Sequence, residues 1–72
     1  MDPILIAAYE RIVRRHGASV DDILVDPDLR EEFLAHCRQS LAADTSEVAI
    51  LRRLHNLRKQ SKLPRSSDIL AA

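Results

Sequence analysis

Residues 48–65 read VAILRRLHNLRKQSKLPR, and the order of apolar and basic side chains in this stretch decides how the chain folds. At about 100° per residue, Ile50, Leu51, Leu54 and Leu57 fall on one side of a helix, while Arg52, His55, Asn56, Lys59 and Lys62 fall on the other. Arg53 and Arg58 flank the apolar side, where their methylene stems can lie along it. An aliphatic underside of this kind must be covered by other elements, so the stretch asks for helical partners. The spacing predicts a helix over about residues 45–61, ending before Pro64 because the residue preceding a proline is pushed out of the helical region.

Partners of the same kind precede it. Asp26-Pro27-Asp28 supplies a cap, a proline at the first helical position and an acid in the first turn. Leu29, Phe33, Leu34, Cys37 and Leu41 then mark the buried face of a helix over about 27–42. Ser19, with Asp22 three residues on, reads as a capping box before a short helix over 20–25. Asp2-Pro3 opens a helix over about 3–16 whose stripe is Leu5, Ile6, Tyr9, Ile12 and Val13. Gly17 ends it, since only glycine enters the left-handed conformation cheaply. Asp44 and Glu47 form the capping pair expected for the 45–61 helix, after a turn at Ala43-Asp44-Thr45. Ser66-Ser67-Asp68 can cap a short turn near 67–71. No segment alternates apolar and polar residues with period two. The expected fold class is all-α, a small three-to-four-helix bundle. Residues 1–65 form one helical domain, and 66–72 a tail that is frayed or folds as one short helical turn.

Composition bounds the function. A 72-residue chain with 46% hydrophobic residues has a thin core, since a domain this small buries only about 60% of its unfolded surface. The longest apolar run, Ile4 to Tyr9, is far short of the roughly 20 residues a spanning helix needs. A basic helix lying on a membrane surface is the weaker reading, since the apolar side of the 45–61 helix carries no Trp or Phe and the thin core needs it; no membrane partner is expected. The Met-Asp-Pro opening lacks the basic region of a secretory leader, and Cys37 is the only cysteine, so a reducing, cytoplasmic setting is expected. A single glycine rules out a glycine-rich phosphate loop.

Catalysis and metal binding find no support. His16, His36, Cys37 and His55 fall on three different predicted helices, and neighbours such as His36 and Cys37 point about 100° apart on a helix. That geometry argues equally against a shared metal and against a Cys37 nucleophile activated by His36. The plainer roles are His16 as a helix-ending cation, an exposed His36, and Cys37 as a small core hydrophobe. The acidic pairs fall in first turns, where the helix dipole favours them. The expectation is a non-enzymatic protein without cofactor or metal.

Charge is the informative feature. Eleven basic and eleven acidic residues cancel, yet residues 1–34 hold four arginines against eight acids, and residues 35–72 hold seven basic residues against three acids. Between Val48 and Arg65 there are six basic residues and no acid. The candidate nucleic-acid-binding residues are Arg52, Arg53, His55, Asn56, Arg58, Lys59, Lys62 and Arg65. Arg52, Asn56 and Lys59 would face the ligand, since Arg and Lys reach guanine edges and phosphates and Asn pairs with adenine. Arg53, Arg58, Lys62 and Arg65 would lie nearer the phosphates. The expected partner is double-stranded nucleic acid, bound in a regulatory or accessory role. The alternative is an adaptor that docks on an acidic protein surface, or forms a homo-oligomer, through opposed acidic and basic patches. A solvated basic face is the plainest explanation of all. Against a helix-turn-helix stand the length of the 27–42 helix and a turn without glycine. Tyr9 and Phe33 fall on core stripes, which leaves no aromatic platform for single strands.

Overall fold

The chain punctuates its helices with caps, and the caps set the architecture. The computed structural model describes residues 1–42 and 44–71; Ala43, in the turn expected before the last long helix, and Ala72, at the end of the expected tail, lie outside the described residues. Among the described residues there are five helices and no strand: α1 (Asp2–His16), α2 (Val20–Val25), α3 (Pro27–Arg38), α4 (Glu47–Lys59) and α5 (Ser66–Ala71). The all-α bundle expected from periodicity is the fold observed.

Two caps stand as read. Ser19 and Asp22 form a reciprocal capping box on α2, and the Asp26 carboxylate accepts from the Asp28 and Leu29 amides at the start of α3. Gly17 closes α1 in the left-handed conformation at φ 67°. Two others differ. Asp2 does not cap α1; it lies inside the first turn, and its carboxylate reaches a distant arginine instead. Nor does Asp44 cap α4: Ser46, in extended conformation, accepts from the Ala49 amide at 3.0 Å. The Thr45 amide is held in a turn to the Ala42 carbonyl, which moves the helix start from 45 to 47.

α3 and α4 stop earlier than expected. Beyond Arg38 the bonds tighten to three-residue spacing, from Gln39 to His36 and from Ser40 to Cys37, although Leu41 still returns to the Cys37 carbonyl and lies half-buried against the core. At the end of α4 the Lys62 amide bonds the Leu57 carbonyl at 2.9 Å and the Ser61 amide bonds the Arg58 carbonyl at 3.0 Å. These two bonds make a Schellman motif, with Ser61 rather than glycine in the left-handed position, at φ 56°.

α1 is the hub: α3, α4 and α5 all pack on it, and α2 bridges α3 and α4. The core draws Leu5, Ile12 and Val13 from α1, Ile23 from α2, Phe33 and Cys37 from α3, and Ile50, Leu54 and Leu57 from α4, all essentially without exposure. Ile69 of α5 joins them, and the Tyr9 hydroxyl donates to the Pro64 carbonyl at 3.1 Å, so the segment after α4 is fastened back onto α1. The Cα radius of gyration, 11.2 Å, matches the roughly 11 Å that compact-domain scaling gives for this length.

Candidate nucleic-acid interface

The underside of α4 is buried as its periodicity requires: Ile50, Leu54 and Leu57 face the core and Leu51 is half-buried beside them. The remaining azimuths carry the candidate residues, and carboxylates from elsewhere in the chain divide these into two sets.

Arg53 and Arg58 are engaged internally. Arg53 grips Asp2 of α1 bidentately, Nε to Oδ1 at 2.8 Å and Nη2 to Oδ2 at 2.6 Å. Hydrogen bonding by the Arg53 guanidinium holds the Asp2 carboxyl below its ordinary pKa, and raises that of Arg53. Arg58 pairs with Asp21 of α2. A third pair runs the other way, from Arg30 of α3 to Glu47 at the start of α4, 3.6 Å apart. Each pair ties α4 to a different helix, so part of the charge separation along the chain is used inside the molecule. Sequence reasoning placed Arg53 and Arg58 near a ligand's phosphates; in the fold, Asp2 and Asp21 occupy them first.

The other cations have no carboxylate partner among the described residues. Arg52, Lys59, Lys62 and Arg65 are all exposed and belong to none of the ion pairs. Arg52, Asn56 and Lys59 stand at i, i+4 and i+7, which aligns them in one strip. His55 and Asn56 are half-buried beside it. The Nδ1 atom of His55 is enclosed without a partner, which favours the tautomer with its proton on Nε2, since an orphaned acceptor is tolerated better than an orphaned N–H. Nε2 is then the hydrogen-bond donor that His55 can offer a ligand.

One member of this surface was not singled out in the sequence. Val48 is 62% exposed and, by helical angle, continues the strip toward the start of α4. Its azimuth follows from helical spacing, but an apolar residue two positions before Ile50, in an aliphatic run, reads by default as core.

Elsewhere the histidines and the cysteine stay apart. Cys37 is fully buried, and burial pushes its thiol up to about 11, which keeps it protonated and unreactive at neutral pH. His36, expected to be exposed, is half-buried with Nε2 enclosed and unpartnered, because α3 turns that side chain toward α1 near Ala8 and Arg11. His16, in the last turn of α1, bonds Glu32 of α3 at 3.0 Å. Among the described residues no three His, Cys, Asp or Glu side chains are grouped to hold a metal ion, and no helix is long and apolar enough to cross a membrane. Comparison with protein-family models, with curated proteins and with solved structures returns no match.

Proposed function

We propose that this protein is a non-catalytic binding module that engages double-stranded nucleic acid, in a regulatory or accessory role, through the outward strip of α4 and the segment that follows it. The observation that carries the reading is the division of the basic residues: Arg53 and Arg58 are held by carboxylates, while Arg52, Lys59, Lys62 and Arg65 are exposed and unpaired. Arg52, Asn56 and Lys59 are the base-edge and phosphate contacts, His55 donates through Nε2, and Lys62 and Arg65 extend the phosphate track.

A mobility-shift titration with duplex DNA at about 50 mM salt, a low-salt condition for such contacts, tests it. The R52A/K59A variant is expected to bind at least about tenfold more weakly, since each lost charge-assisted contact is worth about 1.5–3 kcal/mol at best. Retained affinity in that variant, or no binding by the parent protein, overturns the reading.

Val48 favours a second reading. An exposed aliphatic side chain heading a cationic strip suits an acidic protein surface as partner, and a DNA-negative protein that retains charge-dependent association with a protein would fit it. Self-association through opposed patches has less charge to draw on, because Asp2, Asp21 and Glu47 are already paired within the chain.

A further inference from the structure

The connection between α4 and α5 closes an open groove of about 620 Å3 against α1 and the start of α2. That volume falls in the range of small-molecule sites, roughly 300–1,000 Å3. Arg58, Ser61, Arg65, Ser66, Ser67 and Asp68 line its polar wall. Tyr9 and Pro64 also line it, and the hydrogen bond between them fixes their separation. Burial raises the Tyr9 phenol above its ordinary pKa, which keeps it a donor to Pro64, and the nearby charge of Arg58 opposes that shift. The wall is anchored at both ends: the Schellman bonds hold Ser61, and Ile69 is buried in the core just beyond Asp68. A wall ordered before binding lowers the entropic cost of holding a ligand.

The charges in this groove are only loosely committed. Arg65 has no carboxylate partner among the described residues, and in the Arg58–Asp21 pair the side chains are 48% and 61% exposed. An ion pair so exposed contributes little to stability, so an anion seated in this groove and held by Arg65 as well can take Asp21's place on Arg58. Two guanidinium groups suit an oxyanion that accepts several hydrogen bonds at once. Serine hydroxyls and a carboxylate suit a ligand rich in hydroxyls, as when an acidic side chain accepts from a ribose hydroxyl. A flat base has nothing to stack on, since the rings of Tyr9 and Phe33 are buried.

We propose that this groove binds a small phosphorylated sugar, with Arg58 and Arg65 on the phosphate and Asp68 and the serine hydroxyls on the sugar hydroxyls. Asp21 acts as a built-in competitor, holding Arg58 until the phosphate displaces it. The site goes beyond the duplex reading and needs neither Arg52 nor Lys59.

Amide-resolved NMR titration of the full chain with ribose 5-phosphate, and separately with ribose and with inorganic phosphate, tests the proposal. Saturable shifts are expected at Ser61–Asp68, Tyr9 and Ser19–Asp21 with millimolar ribose 5-phosphate, weaker binding of inorganic phosphate, and none of ribose. R65A should weaken binding at least about tenfold, the loss expected for a charged hydrogen bond. D21N should tighten it, because the competing carboxylate is gone, and R52A/K59A should leave it unchanged even where duplex binding is lost. The same spectra report whether each variant is folded. No saturable shift by about 10 mM, a concentration well above a millimolar Kd, overturns the site. So does an R65A affinity equal to the parent's or a D21N affinity below it. Inorganic phosphate binding as tightly as the sugar phosphate overturns the sugar assignment.

Discussion

Ser61 is the residue whose backbone contradicts its side chain. It holds the left-handed position that ends α4, at φ 56°, where a side chain costs roughly 1–2 kcal/mol relative to the right-handed region. Replacement by glycine removes that cost and adds back some chain entropy, so S61G is expected to stabilise the fold by about 0.5–1 kcal/mol. Urea unfolding measures this directly, and an unchanged or lower midpoint contradicts the strain argument. The contrast with Gly17 explains what the letters reveal. Gly17 announces a helix end because glycine is the common solution there; Ser61 uses the same geometry without announcing it. In the sequence only Pro64 marks the terminus, and the helix ends at Lys59, two residues before the expected 61. Side-chain burial is easier to read, since Phe33 and Cys37 stand four apart on α3, Ile50 and Leu54 four apart on α4, and all are buried.

At the scale of the element, local hydrogen-bond chemistry is legible where one residue type has one use, and misleading where a second capping residue stands close by. Ser19 with Asp22 had one reading. Before α4 the spacing points to Asp44 with Glu47, but the turn from Ala42 to Thr45 gives the cap to Ser46, two residues on. S46A is accordingly expected to cost about 1 kcal/mol, and D44A less than about 0.5, by chemical denaturation. The reverse order would return the cap to Asp44. Asp2 departs from its expected capping role for a different reason: its partner Arg53 is 51 residues away, and no spacing rule reaches that far. The pair has a pH consequence. Arg53 lowers the folded-state pKa of Asp2, so its stabilising contribution is present above the unfolded carboxylate value of about 3.9 and is lost as pH falls through the lower folded value. Thermal midpoints of the parent protein and D2N should therefore differ near neutrality and converge in acid below about pH 4. Curves that run parallel throughout contradict a native ion pair between α1 and α4.

At the scale of the whole molecule, the separation of acidic and basic residues along the sequence serves two ends. Part of it binds α4 to α1, α2 and α3 through Asp2, Asp21 and Arg30, and part remains on the surface as Arg52, Lys59, Lys62 and Arg65. The sequence made the charge separation plain and the outward strip of α4 computable. Which cations find intramolecular carboxylates depends on how four helices dock, and that information is spread over the entire chain. The division has a numerical consequence for duplex binding. Each phosphate neutralised contributes about −0.9 to the slope of log affinity against log salt. Six engaged cations would give a slope of about −5.4, and the four unpaired ones give about −3.6. The most direct test is the affinity for duplex DNA by fluorescence anisotropy between about 50 and 200 mM salt, the range over which counterion release is read. A slope of about −3 to −4, with affinity falling roughly a hundredfold across that range, is the predicted result; no binding at the lowest salt, or a slope near zero, contradicts it.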